Sequence, residues 1–207
     1  MRKSGRLTCV AATILLLSAC AAPVTPVPTP TPLPTPTPTL APVVCLSGFD
    51  SYADGEIGFT ACYPSGWTVS AYQGTEANTE GVDFSLQGAG ATAPQRISVR
   101  AVLLTGTTDT ETLLENLAKE LMNQRAQQGR EIVALRAFPV DGHKAVEDGQ
   151  QGAVTVGGKP VNVSGWVVGF PANTRMWYIN VSGAVDQGEQ TARVYRQFLT
   201  QFHVLPR

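Results

Sequence analysis

Chemistry in this chain of 207 residues has few places to start. His143 and His203 are its only histidines and lie too far apart in sequence to be read as a ligand pair. Asp141 and His143 could share a metal ion, although a turn carboxylate beside a surface histidine is the commoner arrangement. Glu147-Asp148 could supply half of an acid/base carboxylate pair. Adjacent strand residues face opposite ways, however, so this pair reads as solvated surface. Ser164-Gly165 and Ser182-Gly183 lack the Gly-x-Ser-x-Gly elbow of a serine nucleophile and read as strand residues near turns. Gly88-Ala89-Gly90 is not followed by a helical pattern, and Gly157-Gly158-Lys159-Pro160 lacks phosphate-loop spacing, so neither reads as a nucleotide site. No catalytic residue, metal ligand or cofactor is therefore expected. The aromatic residues are the remaining candidates. Trp166, Trp177 and Tyr178 fall on neighbouring strands and could form a binding platform on an outer sheet face, or be covered by the terminal helix. Trp67, after Gly66, reads as core.

The cysteines say more about location than about reaction. Arg2, Lys3 and Arg6 form a basic start, and Leu7 to Ala19 form a short apolar run. This fits a secretory signal and is well short of the roughly 20 apolar residues that cross a bilayer. Leu17-Ser18-Ala19-Cys20 resembles the lipobox of bacterial lipoprotein signal peptides. That resemblance implies removal of residues 1–19, lipidation of Cys20, and a membrane-anchored protein facing the extracytoplasmic side. The alternatives are an uncleaved anchor, or an ordinary signal cut after Ala19 that leaves Cys20 a plain thiol. Cys9 would leave with the signal. Cys45 and Cys62 then remain, as a disulfide permitted by export or as two separate thiols.

Loss of the leader would leave 12 basic and 16 acidic side chains, a formal charge of −4. Without a basic stripe, nucleic acid is not an expected partner. Nine of the fifteen prolines lie between Pro23 and Pro42, alternating with Thr, Val and Leu. Fixed φ and missing donors exclude helix and central strand there, leaving polyproline II at about 3.1 Å per residue. Residues 20–43 thus read as a semi-rigid linker able to hold a domain on the order of 60 Å from its anchor. The globular domain is expected over 44–207.

Within it, Phe59 to Tyr63 alternates and stops at Pro64-Ser65-Gly66, and Trp67 to Tyr72 returns. Val82 to Gln87 and Arg96 to Leu104 read as two further strands. Asp109 to Gln128 is predicted as a helix, with Thr108 and Glu111 at capping-box spacing and Gly129 placed to end it. Leu113, Leu114, Leu117, Leu121 and Met122 give it one apolar stripe, and Glu115 and Lys119 form a supporting pair. Glu131 to Val140, the Asp141-Gly142 turn, His143 to Val156, Pro160 to Phe170 and Met176 to Ser182 read as an antiparallel meander. A last helix from about Gly188 to Phe202 carries Ala192, Tyr195, Phe198, Leu199 and Phe202 on one side. This order argues α+β, with helices packed on an antiparallel sheet.

The run from Tyr52 to Trp67, ending Tyr63-Pro64-Ser65-Gly66-Trp67, resembles the opening of PsbP-like domains. Looser matches follow at Gly142 to Ala145, at Trp177-Tyr178 and in a C-terminal helix ending at Phe202. The resemblance implies a central antiparallel sheet with helices on both faces, an α/β/α sandwich. That family includes the extrinsic PsbP subunit of photosystem II, a Ran-binding import factor and bacterial lipoproteins without assigned roles. It offers no shared catalytic residue to carry over, which favours a binding or structural module with a protein partner in the cell envelope. A small hydrolase using carboxylates brought together by the fold is the alternative, and a carrier of an apolar ligand is another.

Overall fold

Period-two alternation resolves into ten strands and the two apolar stripes into two helices, in a computed structural model that describes residues 43–86, 95–128, 130–156 and 158–206. The leader, Cys20, the proline-rich linker, Gly88-Ala89-Gly90, Gly129 and Gly157 lie outside the described residues. The order is β1 (Phe49–Asp54), β2 (Phe59–Pro64), β3 (Thr68–Ala71), β4 (Thr79–Leu86), β5 (Gln95–Leu103), α1 (Thr110–Gln128), β6 (Arg130–Val140), β7 (His143–Val156), β8 (Lys159–Ala172), β9 (Arg175–Ala184), α2 (Gly188–Thr200) and β10 (His203–Val204). The strands form two antiparallel sheets rather than the single one expected. Seven lie in the order β3-β4-β5-β9-β8-β7-β6, and β1, β2 and β10 make a separate three-stranded sheet. The separate sheet escapes sequence reading because β10 is only two residues long and pairs with a strand more than 140 residues earlier.

The two faces of the large sheet are covered unequally. On one, Ile97, Val99, Trp166, Val168, Phe170, Trp177, Ile179 and Val181 meet α2 and the small sheet, giving the main core. Helix α2 supplies Val194, Tyr195, Phe198 and Leu199, spaced so that one stripe faces inward. Phe59 of β2 and Phe202 stack at 5.3 Å between ring centroids, with Trp177 edge-on to both. Truncating an aromatic residue in such a packed cluster costs roughly 3–5 kcal/mol.

On the other face α1 buries Leu114, Leu117 and Leu121 against Met176, Val146, Val167 and Tyr178. Met122, expected on that stripe, is 57% exposed. The cap also differs from the expected box: Asp109, not Thr108, accepts from the Thr112 N–H and hydroxyl at 3.0 and 2.7 Å. Those bonds and the exposed first turn hold the Asp109 carboxyl below its ordinary pKa. Glu115 and Lys119 make no ion pair among the described residues. Instead α1 is fixed at its ends by charge, through Glu111 to Lys144 and through Arg125 to Glu131 and Asp148.

Cys45 and Cys62 form a disulfide, their Cα atoms 5.7 Å apart. Cys62 is completely buried on β2, so the bond ties the segment entering the domain to a core strand.

Candidate functional site

The Asp141-Gly142 turn joins β6 to β7, with positive φ at both residues (48° and 78°), as a two-residue hairpin of twisted strands requires. Pairing outward from that turn brings Arg136 opposite Glu147. At Glu147 and Asp148 the two faces of β7 are covered, one by Tyr195 of α2 and the other by Arg125 of α1. Glu147 and Asp148 are therefore 3% and 0% exposed, and the expectation of solvated carboxylates is corrected. A buried carboxylate needs a cation, and each has one. Glu147 accepts from Arg136 Nε at 2.6 Å on the α2 side, and Asp148 accepts from Arg125 Nη2 on the α1 side. The two point to opposite faces of one strand, so they cannot flank a single scissile bond.

Beside Glu147, the Tyr195 ring stacks on Trp166 at 6.3 Å. Burial first, and the adjacent Glu147 carboxylate second, push the Tyr195 hydroxyl far above its ordinary pKa. Among the described residues, no hydrogen bond of good geometry satisfies that hydroxyl. It is a neutral core group, not a titrating acid at physiological pH.

The three expected platform residues part company. Trp166 and Trp177 face the main core, 7% and 1% exposed, whereas the adjacent Tyr178 faces α1 and is half-buried. Alternation along β9 separates the neighbours Trp177 and Tyr178, and α2 with the small sheet covers the tryptophans; no joint platform exists. Trp67 is half-buried against the main core.

Asp141 does meet a histidine, but it is His203. Asp141 Oδ1 lies 2.8 Å from His203 Nδ1, and its Oδ2 accepts from the Val204 N–H at 2.8 Å. His143 instead stacks on Phe170 at 5.8 Å. The Asp141 contacts fasten β10 to the β6–β7 turn, across a separation of more than sixty residues that no sequence signal spans. Among the described residues, no group of three or more His, Cys, Asp and Glu side chains converges as metal ligands would.

Three depressions open to solvent lie along α1. Between its first half and the β6–β7 hairpin runs a groove of about 670 Å³ lined by Leu114, Leu135 and Val146. Along its second half lie two more, of about 520 and 460 Å³, which share Gln124, Val167 and Asn180. Asp83 stands beside this second pair, held by Arg96 Nη2 at 2.5 Å and Arg100 Nη2 at 2.8 Å. Burial raises its pKa, but the hydrogen bonds from Arg96, Arg100 and Ser98 outweigh it and leave the carboxyl below its ordinary value. Arg100 also lies over the Tyr72 ring at 3.9 Å from the centroid.

No protein-family model matches this chain, and no curated protein matches it. Solved structures share parts of its course at low identity. The solution structure of cyanobacterial PsbP from Synechocystis sp. PCC 6803 is 17% identical, covering 78% of this chain and 95% of that one, with a TM-score of 0.49. LpqN of Mycobacterium tuberculosis, described as involved in cell envelope biogenesis, is 14% identical over 80% of this chain and 85% of its own, with a TM-score of 0.39. The Ran-binding protein Mog1p of Saccharomyces cerevisiae is 12% identical over 76% and 95%, with a TM-score of 0.42. Likenesses at this level assign neither family nor activity.

Proposed function

We propose that this chain is an exported lipoprotein, anchored through Cys20 in the cell membrane and facing the extracytoplasmic side. Its PsbP-like domain acts as a non-enzymatic binding or structural module for a protein partner of the envelope. The observation that carries the choice of binding over catalysis is the disposition of Glu147 and Asp148. The buried carboxylates of β7 are back to back and each is neutralised by an arginine, which removes Glu147 and Asp148 as the pair of a carboxylate hydrolase. The anchor rests on Leu17-Ser18-Ala19-Cys20 and on the proline-rich stretch that follows it. Radiolabelled palmitate should enter the full chain and be absent from Cys20→Ser. Label retained in that variant, or an unmodified start by mass spectrometry, refutes the anchor. Affinity capture from intact envelopes should recover a stoichiometric protein. Turnover on a panel of hydrolase substrates, abolished by Glu147→Gln, refutes the non-enzymatic reading.

The apolar-carrier alternative has one observation in its favour, the groove lined by Leu114, Leu135 and Val146. That groove opens to solvent along α1, while the space between sheet and α2 is filled by Trp177, Phe198 and Phe202, all at most 1% exposed. A fatty-acid probe bound with a fixed stoichiometry, and displaced by Leu135→Trp, would establish it.

A further inference from the structure

We propose that the groove beside the second half of α1 is a saccharide-binding site, taking a neutral amino-sugar oligosaccharide. This goes beyond the module reading and does not depend on the lipid anchor. Two depressions of about 520 and 460 Å³ merge there through Gln124, Val167 and Asn180, making one trough with α1 as its wall and β5, β9, β8 and β7 as its floor.

Four residues with planar amides line it, Gln124, Gln150, Gln151 and Asn180, with hydroxyls from Ser98 and Ser182 and the ring of Tyr178. An amide is donor and acceptor at once, and so are sugar hydroxyls and acetamido groups; a simple anion or cation would satisfy only half of each. Gln150 lines the trough, and its Oε1 atom, shielded from solvent, has no hydrogen-bond partner among the described residues. Gly165 leaves the floor bare. A Cβ built there would meet nothing nearer than the carbonyl oxygens of Val181 and Gln150 at 3.7 and 4.0 Å, so a flat pyranose ring can approach the sheet.

The charges narrow the class. Among the described side chains that line it, Arg96 and Arg100 are both turned to Asp83, and Glu76 and Glu120 stand on the same rim, so these offer no uncompensated cation to a phosphate or an acidic chain. The lining is too polar for an acyl chain. An extended peptide is disfavoured for another reason. The trough lies over paired interior strands whose backbone groups are already spent, whereas peptides gain most from an open sheet edge.

The test uses the full chain in detergent, titrated calorimetrically with the β-1,4-linked tetramer of N-acetylglucosamine. Saturable binding is expected, changing little with salt, and weakened about tenfold by Asn180→Ala and by Gln150→Leu, the loss of one or two hydrogen bonds to a neutral ligand. Gln124→Ala, at an exposed helical position where the fold is indifferent, should weaken it similarly. No binding at millimolar tetramer overturns the proposal. So does affinity unchanged in Gln124→Ala and Asn180→Ala, or a groove that these variants show to bind an acidic peptide or anionic vesicles instead. The palmitate readout is independent, so failure of one reading is distinguishable from failure of the other.

Discussion

Arg125 is the residue whose removal tests the ionic attachment of α1 most sharply. Its guanidinium, 19% exposed, reaches Asp148, which is completely buried, and Glu131, which is 51% exposed. Arg125→Met keeps the helix propensity and most of the stem's packing but strands the Asp148 carboxylate. Asp148 Oδ2 already lacks a partner among the described residues. Removing one partner of a buried ion pair destabilises by about 3–5 kcal/mol. For an ordered domain of about 160 residues, each kcal/mol moves Tm by about 2–4 °C, so the fall should be about 6–20 °C. Urea denaturation at pH 7 followed by far-UV circular dichroism measures the free energy, and calorimetry the midpoint. The double variant Arg125→Met/Asp148→Leu should recover most of the loss, because it replaces a stranded charge by an apolar side chain of similar volume. Lys144→Met is the contrast. It breaks a pair with Glu111 that is 73% and 65% exposed, and should change stability by no more than about 0.5 kcal/mol. A loss under about 1 kcal/mol in Arg125→Met, or a double variant no better than the single one, would refute a buried charge compensated by Arg125.

Reducing the Cys45–Cys62 bond, or Cys45→Ala, frees a loop spanning 17 residues and should lower stability by about 3 kcal/mol in equilibrium denaturation; no change would mean that the segment stays docked unaided. The depressed Asp83 pKa means that its ionised form is favoured by folding, so its contribution is full above the ordinary carboxylate pKa and is lost as pH falls through the lower folded value. The stability gap between the chain and Asp83→Asn should thus be constant near neutrality and close below about pH 4, and a gap that persisted undiminished in acid would contradict it. Tyr195 has the opposite sign, since burial favours its neutral form. Its contribution is complete below pH 10 and lost as pH rises, so absorbance near 295 nm should show Tyr195 ionising only as the domain unfolds in alkali.

Much of this architecture was legible in the order of residues. Strands β2, β5, β7, β8 and β9 follow their alternation, both helices fall within a residue or two of their expected spans, and a helix covers each face of the large sheet. What failed was anything set by what covers a strand. Glu147 and Asp148 alternate faces, as adjacent strand residues must, yet both are buried because α2 covers one face of β7 there and α1 the other. Trp166 and Trp177 were open candidates for a surface only while the covering layer was unknown. That layer includes the small sheet, whose last strand is too short to leave a period.

One signal in the sequence could nevertheless have found the buried charge. Fixing the Asp141-Gly142 turn fixes the register of the β6–β7 hairpin, and that register alone sets Arg136 opposite Glu147. An arginine directly across from a glutamate in a Val- and Ala-rich hairpin argues for a paired and covered carboxylate, since cross-strand pairs are the unit by which sheets are stabilised. The same reasoning stops at Asp148, whose partner comes from α1, and at Asp141, whose partner His203 lies beyond α2. Local register is therefore readable, and docking between elements is not. The groove residues Gln124, Gln150 and Asn180 belong to the second kind: three amides on a helix and two non-adjacent strands, each unremarked in its own segment and meaningful only when packing sets them around one space.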